Sequence, residues 1–148
     1  MKSHDTIVIL DYGSQCAQLI ARRVREANVY CIIVPWNAPP EEIMVPNVRG
    51  FILSGSHHSV YDVNAPTLPE VLIDSGLPIL GLCYGMQLLA HQFGGVVAGG
   101  RHREYGPADL QVTAFDNDLF QNWQTAITTP SGRSNGSIEQ VWMSHGDK

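Results

Sequence analysis

The chain has 148 residues, of which 44% are hydrophobic and 16% charged, with a formal net charge of −5 at pH 7. This length suits one domain with a real core, and the composition excludes a disordered chain. An acidic chain without a basic stripe is not expected to bind nucleic acid. No apolar run approaches the roughly 18 residues of a membrane span, so no membrane partner is expected.

The cysteines and the first residues bear on the compartment. Cys16, Cys31 and Cys83 are odd in number, lie far apart and form no Cys-x-x-Cys pair. This usage argues against a disulfide framework and against a zinc site. The amino terminus carries no signal-peptide pattern. We therefore expect a cytoplasmic protein without a structural metal.

Continuous apolar runs predict four β-strands in the first two thirds of the chain, at residues 6–11, 30–34, 50–55 and 77–82. Continuous rather than alternating apolar residues indicate strands covered on both faces, as in a parallel sheet between helices. The predicted fold class is α/β, an open, doubly wound, mainly parallel sheet flanked by helices. Functional loops of such sheets lie at the carboxyl ends of the strands.

Helices are predicted in two of the connections. Apolar residues at helical spacing indicate one helix over residues 15–27, with Ser14 as its N-cap. A second helix follows Cys83, runs to about Phe93 and is closed by two glycines. Beyond residue 100 the weaker pattern predicts a strand, a helical turn, a polar loop and a strand, at residues 108–114, 118–123, 128–137 and 140–144.

The turn between the fourth strand and its helix, Gly81-Leu82-Cys83-Tyr84-Gly85, is the most informative motif. Glycines two residues before and after a central residue permit a sharp turn that exposes a nucleophile. The positive dipole end of the following helix would favour the Cys83 thiolate. The alternative is an inert buried cysteine. Asp11-Tyr12-Gly13 and Ser54-Gly55-Ser56 end neighbouring strands, and this convergence favours the nucleophile.

Residues 81–87, Gly-Leu-Cys-Tyr-Gly-Met-Gln, resemble the nucleophile motif of the class I (triad) glutamine amidotransferases. More narrowly, the chain is similar to the amino-terminal glutaminase domains of the GMP synthase family, which aminates XMP to GMP. The narrower resemblance is carried by residues 9–15, 52–55, 103–106 and 141–147. It covers essentially the whole chain and implies a flavodoxin-like fold.

The resemblance implies a reaction for the motif. Cys83 would attack the side-chain amide carbon of glutamine, form a γ-glutamyl thioester and release ammonia. The tetrahedral oxyanion needs two aimed N–H donors. We expect one from the backbone of Tyr84 and the other from the loop that contains Gly55 and Ser56.

Three more residues take substrate-binding roles by the same resemblance. Gln87 would help to hold the substrate glutamine, the alternative being an ordinary glutamine on the helix surface. Ser144 and His145 belong to a Ser-His-Gly-Asp stretch that lines the glutamine side of the family's pocket. No cofactor or metal is expected in this segment.

The resemblance also implies partners. Ammonia would pass to a synthetase (ATP pyrophosphatase) domain, in cis or in trans, which uses ATP and Mg²⁺ to adenylate XMP. A homodimer of the full-length protein is compatible with the resemblance.

Two departures from the family pattern stand out. The family usually reads Ser-Gly-Gly-Pro where this chain has Ser54-Gly55-Ser56-His57. If the second glycine uses a positive φ, a serine there would be strained by roughly 1–2 kcal/mol, and the oxyanion site would form less well. The family's catalytic base and its orienting acid lie in a downstream His-Pro-Glu motif, which this sequence does not contain.

None of the six histidines takes the place of that motif. His57 and His58 could approach the sulfur from the oxyanion loop, and His145 is not expected to be the base. We expect residues 1–148 to be one amidotransferase domain, incomplete at its carboxyl end, with negligible glutaminase activity alone.

Three alternatives from other classes remain open. A flavodoxin-like binding module would fit the sheet, although neither the first nor the third strand loop offers a phosphate cradle. A cysteine hydrolase of the same fold would share the turn but gives no reason for Gln87. A catalytically silent amidotransferase-like interaction subunit is favoured by the missing base and by Ser56.

Overall fold

The computed structural model describes residues 4–114, 116–121 and 138–147. These residues fall into two units, the first running to Gly99 and including Asp147, the second beginning at Gly100. Among the described residues, no helix is long and apolar enough to cross a membrane.

The central sheet of the first unit consists of β1 (Thr6–Asp11), β2 (Tyr30–Pro35), β3 (Val48–Leu53) and β4 (Ile79–Gly81). All four strands are parallel, in the order β2-β1-β3-β4. The connection from β2 to β3 therefore crosses β1, and the strand order reverses between β1 and β3. Ligands of open α/β sheets bind outside the carboxyl ends of the strands at such a reversal.

Three helices connect these strands, α1 (Cys16–Glu26), α2 (Pro40–Ile43) and α3 (Glu70–Asp74), and a fourth, α4 (Tyr84–Gln92), follows β4. The two longer helices were expected from the sequence. The two shorter ones were not, because four or five residues are too few for a periodic apolar stripe. The hydroxyl of Ser14 accepts the N–H of Cys16 at 3.2 Å, as predicted for a cap, although the capping position itself falls at Gln15.

Side chains of β1 are buried on both faces of the sheet. Val8 and Leu10 belong to a large apolar cluster that also contains Phe51 and Leu53. Ile9 points to the other face, where it meets a second cluster whose other buried members are Ala17, Ala21 and Cys31. Two-sided burial is what the continuous apolar runs predicted, and it confirms the doubly wound α/β fold.

The second unit contains most of a two-stranded sheet formed by β5 (Gly99–Gln111) and β6 (Ile138–Asp147). Both strands are longer than predicted, because pairing outweighs the low strand propensity of residues such as glycine. The N–H groups of Phe120 and Gln121 both donate to the carbonyl of Asn117, which forms the predicted helical turn. The end of that turn and the polar loop predicted at 128–137 lie outside the described residues.

Candidate active site

Cys83 occupies a sharp turn between β4 and α4. Its backbone has φ 52° and ψ −115°, a conformation that residues with a side chain rarely adopt. Such a conformation costs about 1–3 kcal/mol and persists only where its surroundings enforce it. The residue is exposed, so a substrate can reach it. These features are those of the nucleophile turn expected from the sequence.

The two glycines of the motif are required by close approach of the backbone. A Cβ on Gly81 would lie 2.6 Å from the carbonyl carbon and oxygen of Gly85. A Cβ on Gly85 would lie 2.5 Å from the Cβ of Leu53 and 2.6 Å from its carbonyl oxygen. A side chain at Gly81 would therefore force the start of α4 away from the end of β4, and one at Gly85 would force it away from β3.

Backbone hydrogen bonds attach the turn to the end of β3. The N–H of Leu82 donates to the carbonyl of Leu53 at 3.0 Å, and the N–H of Gly85 donates to the carbonyl of Ser54 at 3.2 Å. A Cβ on Gly55 would lie 3.6 Å from the Cβ of Cys83. The segment that begins at Ser54 is therefore held directly beside the nucleophile.

Two backbone N–H groups at this edge can serve as oxyanion donors. Within the described part of the chain, neither the N–H of Tyr84 nor that of Ser56 donates to a protein acceptor. Tyr84 is the first residue of α4, where free N–H groups and the helix dipole favour negative charge. Ser56 follows Gly55, which lies next to Cys83. The two N–H groups thus lie on the two segments that flank the sulfur, and their role as oxyanion donors stays a prediction.

The strain considered for Ser56 is not found. Positive φ among the described residues other than glycine occurs at Asn28, Asn47 and Cys83. Ser56 therefore has an ordinary φ, and no glycine is needed there to aim its N–H. The strained residue of the site is the nucleophile itself.

Ser54 is a positioning residue that the sequence reasoning did not single out. Its side chain is fully buried, and its hydroxyl accepts the N–H of Tyr12 at 3.0 Å and lies 3.3 Å from the Gly55 carbonyl, to which it donates. Because a trans peptide is planar, fixing the Gly55 carbonyl directs the N–H of Ser56 to the opposite side. The sequence feature that could have identified Ser54 is a polar residue at the end of a buried strand.

Two tyrosines that follow β1 and β4 bind a further loop segment, which contains Pro66 and Thr67. The hydroxyl of Tyr84 donates to the carbonyl of Pro66 at 2.5 Å, and that of Tyr12 donates to the carbonyl of Thr67 at 3.3 Å. The two rings are in contact, with centroids 5.6 Å apart. Burial raises the pKa of both phenols, so both hydroxyls keep their protons and remain donors.

The electrostatics of Cys83 differ from the expectation. Partial burial raises the pKa of the Cys83 thiol, and the nearby Cys16 raises it further. The helix start was expected to favour the thiolate; the direction is the opposite, and desolvation of the sulfur is its largest cause. The sulfur therefore carries its proton at neutral pH, and nucleophilic attack needs a base.

Gln87 lies one helical turn after the nucleophile, and its N–H donates to the Cys83 carbonyl at 3.1 Å. Its side chain is buried, with 9% of its surface exposed. Burial argues against an ordinary glutamine on the helix surface. Its substrate-binding role stays a prediction.

The histidines are placed as follows. His58 Nδ1 lies 3.3 Å from a carboxylate oxygen of Asp62, and the ring of His91 packs on Tyr61 with centroids 5.2 Å apart. Ser144 and His145 lie in β6, and their side chains lie outside the described part. The same holds for His102, which with Glu104 forms the only His-x-Glu sequence in the chain. In the described ranges, no group of three or more His, Cys, Asp or Glu residues could hold a metal ion.

Comparisons with known proteins identify the family. Residues 8–148 match the family model of class I glutamine amidotransferases. The chain is 49% identical over 146 residues to a GMP synthase [glutamine-hydrolyzing] of Thermomicrobium roseum, covering 99% of this chain and 25% of that protein. It is 47% identical over 147 residues to the Bradyrhizobium diazoefficiens protein of the same name, with the same shares covered. The chain thus spans about a quarter of the length of these relatives.

A solved structure is also similar. A protein from Thermoplasma acidophilum, described as a GMP synthase subunit, superposes with a TM-score of 0.70 at 27% sequence identity. The match covers 100% of this chain and 68% of that one. The fold, the nucleophile turn and the family model agree, and the chain belongs to the class I glutamine amidotransferase family.

Proposed function

We propose that this chain is the glutaminase part of a GMP synthase and releases ammonia from glutamine. The observation that carries the proposal is Cys83, held at positive φ beside two backbone N–H groups without protein acceptors. A nucleophile next to two such donors is the arrangement that acyl transfer requires. The similarity to glutamine-hydrolysing GMP synthases supports glutamine as the amide.

The chemistry proceeds in two acyl-transfer steps. The Cys83 sulfur bonds to the glutamine amide carbon, and the carbonyl oxygen becomes an oxyanion that accepts from Tyr84 N–H and Ser56 N–H. Collapse breaks the carbon–nitrogen bond, and the protonated nitrogen leaves as ammonia. Water then cleaves the γ-glutamyl thioester to give glutamate and the free thiol. Gln87, with Ser144 and His145, is proposed to bind the substrate glutamine.

A base must take the thiol proton and return it to the leaving nitrogen. The raised pKa of Cys83 makes this requirement strict. In the part of the chain that the structure describes, no histidine hydrogen-bonds to Cys83. We propose that a His-Pro-Glu motif of the longer protein supplies the base and its orienting carboxylate.

The remaining proposals are supported by the similarity to GMP synthases. Ammonia is used by a synthetase domain or subunit that acts on XMP, and ATP and Mg²⁺ bind there rather than to this chain. The reaction is that of a ligase in GMP biosynthesis. A cytoplasmic location fits three free cysteines, two of them exposed. We also propose that the full-length protein forms a homodimer.

The test uses the full-length protein with its synthetase part. In Cys83→Ala, we expect glutamine-dependent formation of GMP to fall by about a thousandfold or more, whereas ammonia-dependent formation of GMP stays at the wild-type rate. Cys16→Ser is the matched control and keeps both activities. Glutamine-dependent GMP formation that survives Cys83→Ala would overturn the proposal.

Two of the alternatives, a cysteine hydrolase and a silent partner of the synthetase, are distinguished by the substrates that the wild-type protein uses. A hydrolase of the same fold would release product from peptides or thioesters, and glutamine would not compete. A silent interaction subunit would copurify with the synthetase, and wild-type protein would use ammonia but not glutamine. The backbone donors beside Cys83 favour the active glutaminase.

A further inference from the structure

Two exposed cysteines lie at the edge of the sheet where the carboxyl ends of the strands meet. Cys83 follows β4, and Cys16 begins α1 after the loop that leaves β1. Because β3 separates β1 from β4, the segment that follows β3 lies between the two cysteines. That segment contains Gly55, whose missing side chain leaves space there.

Gly55 lies close to both segments that carry the two cysteines. A Cβ on Gly55 would lie 3.6 Å from the Cβ of Cys83 and 3.4 Å from the hydroxyl oxygen of Ser14. The same Ser14 hydroxyl accepts the N–H of Cys16 at 3.2 Å. The two cysteines also interact electrostatically, since Cys16 raises the pKa of the Cys83 thiol.

We propose that Cys16 and Cys83 form a reversible disulfide when the protein meets a peroxide, so that Cys16 resolves an oxidised nucleophile. This role for Cys16 holds whichever substrate Cys83 attacks. It requires an approach of the two Cα atoms to within about 7 Å, which a glycine between them permits and a larger residue would hinder.

The reaction balances in two steps with hydrogen peroxide as the oxidant. The base that activates Cys83 in the longer protein first takes the thiol proton; the thiolate then attacks one peroxide oxygen, the oxygen–oxygen bond breaks, and water leaves after protonation, giving a sulfenic acid. The Cys16 thiolate then attacks the Cys83 sulfur, the sulfur–oxygen bond breaks, and a second water leaves. Two thiols lose two electrons to the peroxide, and an external thiol reverses the change.

The third cysteine provides an internal control. Cys31 is buried, and its thiol donates to the carbonyl of Ala21 at 3.6 Å. A buried thiol with a partner inside the core is shielded from both peroxide and exchange. We therefore expect the Cys31 thiol to stay reduced while the other two are oxidised.

The disulfide would have two consequences for the protein. It removes the nucleophile from the reaction for as long as the bond persists, so activity is switched off reversibly. It also protects Cys83 from the irreversible sulfinic and sulfonic states, which form when a sulfenic acid finds no second thiol.

Peptide mapping can identify the bond without any activity measurement. Trypsin places the cysteines on three different peptides, residues 3–22, 26–49 and 50–101. The full-length protein is treated with hydrogen peroxide, unfolded in urea, blocked with iodoacetamide, digested without reductant and analysed by mass spectrometry. We expect a linked pair of peptides 3–22 and 50–101 that separates on adding dithiothreitol, with 26–49 carrying the alkyl group.

Variants and chain mass complete the test. Cys16→Ser should abolish the linked peptide and convert Cys83 to sulfinic acid, whereas Cys31→Ser should form the linked peptide as the wild type does. The intact mass should be that of a single chain lacking two hydrogens. Sulfinic acid on Cys83 of the wild type with Cys16 still open to alkylation would overturn the proposal, as would a linkage found only between two chains.

Discussion

The backbone N–H of Tyr12 donates to the buried hydroxyl of Ser54 at 3.0 Å, across the point where the strand order of the sheet reverses. The two residues are 42 positions apart in the chain. This bond joins the end of β1 to the end of β3. Through the Gly55 carbonyl, it also sets the direction of the Ser56 N–H beside the nucleophile.

Ser54→Ala should therefore impair both stability and turnover. It leaves the buried N–H of Tyr12 without a partner, which costs about 1–3 kcal/mol of unfolding free energy. It also releases the peptide that carries the Ser56 donor, and we expect kcat for glutamine to fall by about tenfold or more with little change in KM. Urea unfolding and steady-state kinetics of the full-length protein measure the two effects.

Ser75→Ala is the matched control. Its hydroxyl also donates to a carbonyl, that of Leu72 at 2.6 Å, and accepts an N–H, that of Leu77 at 3.1 Å. This variant should lose stability without losing turnover. Equal losses of kcat in the two serine variants would show that Ser54 acts only on stability.

Gly81→Ala and Gly85→Ala should each destabilise the protein by about 3 kcal/mol or more, because the added methyl group would overlap backbone atoms. The melting temperature reports the loss. Gly99→Ala is the control, since a Cβ there would meet no atom of the described residues within 4 Å. Its unfolding free energy should stay within about 1 kcal/mol of the wild type. A wild-type melting temperature for Gly85→Ala would contradict the close approach.

Cys83→Gly should be more stable than Cys83→Ala, by about 1 kcal/mol. Glycine relieves the strain of a positive φ, and this gain exceeds its greater entropy in the unfolded chain. At Cys16, the first residue of α1, the order should reverse, with glycine less stable than alanine. Denaturant unfolding of the four variants measures the order of stability at both positions. The same order at both positions would mean that Cys83 is not strained.

The pH dependence of Cys83 follows from its raised pKa. Alkylation by iodoacetamide requires the thiolate, so the alkylation rate of Cys83 should rise only above the pH range of an ordinary thiol. Cys16→Ser should lower this midpoint but leave it raised, because burial is the larger cause. Cys31→Ser should leave it unchanged. A midpoint below that of a free thiol would show that the helix start dominates.

The raised pKa of Cys83 also affects the stability of the folded protein. The folded state holds the Cys83 proton to higher pH than the unfolded chain does. The stabilisation that comes from this difference in pKa is therefore fully present below the pKa of Cys83 in the unfolded chain. It is lost as the pH rises through the pKa of Cys83 in the folded protein. Comparing wild type with Cys83→Ser between neutral and alkaline pH isolates this loss.

The sequence was sufficient to predict features that a local pattern of residues encodes. Continuous apolar runs located β1 and β2, and the glycine spacing around Cys83 located the nucleophile turn. The direction of the Cys83 pKa was wrong, because the helix start can be read from the chain, whereas the desolvation of the sulfur depends on residues packed around it.

Features that depend on distant parts of the chain were not predictable. The bond from Tyr12 to Ser54, the bond from Tyr84 to Pro66 and the proximity of Cys16 to Cys83 all join separate connections of the sheet. No local pattern encodes them, since they arise only when the strands assemble in their observed order.

The contact of Gly85 with the backbone of Leu53 has a consequence for protein engineering. Main-chain atoms set the distance from the turn to β3, and main-chain contacts do not vary with the choice of side chains nearby. A library that randomises Leu82 and the exposed Met86 should therefore keep the sulfur of Cys83 in place. The surroundings of the nucleophile can be redesigned for a different amide while its position stays fixed by the sheet.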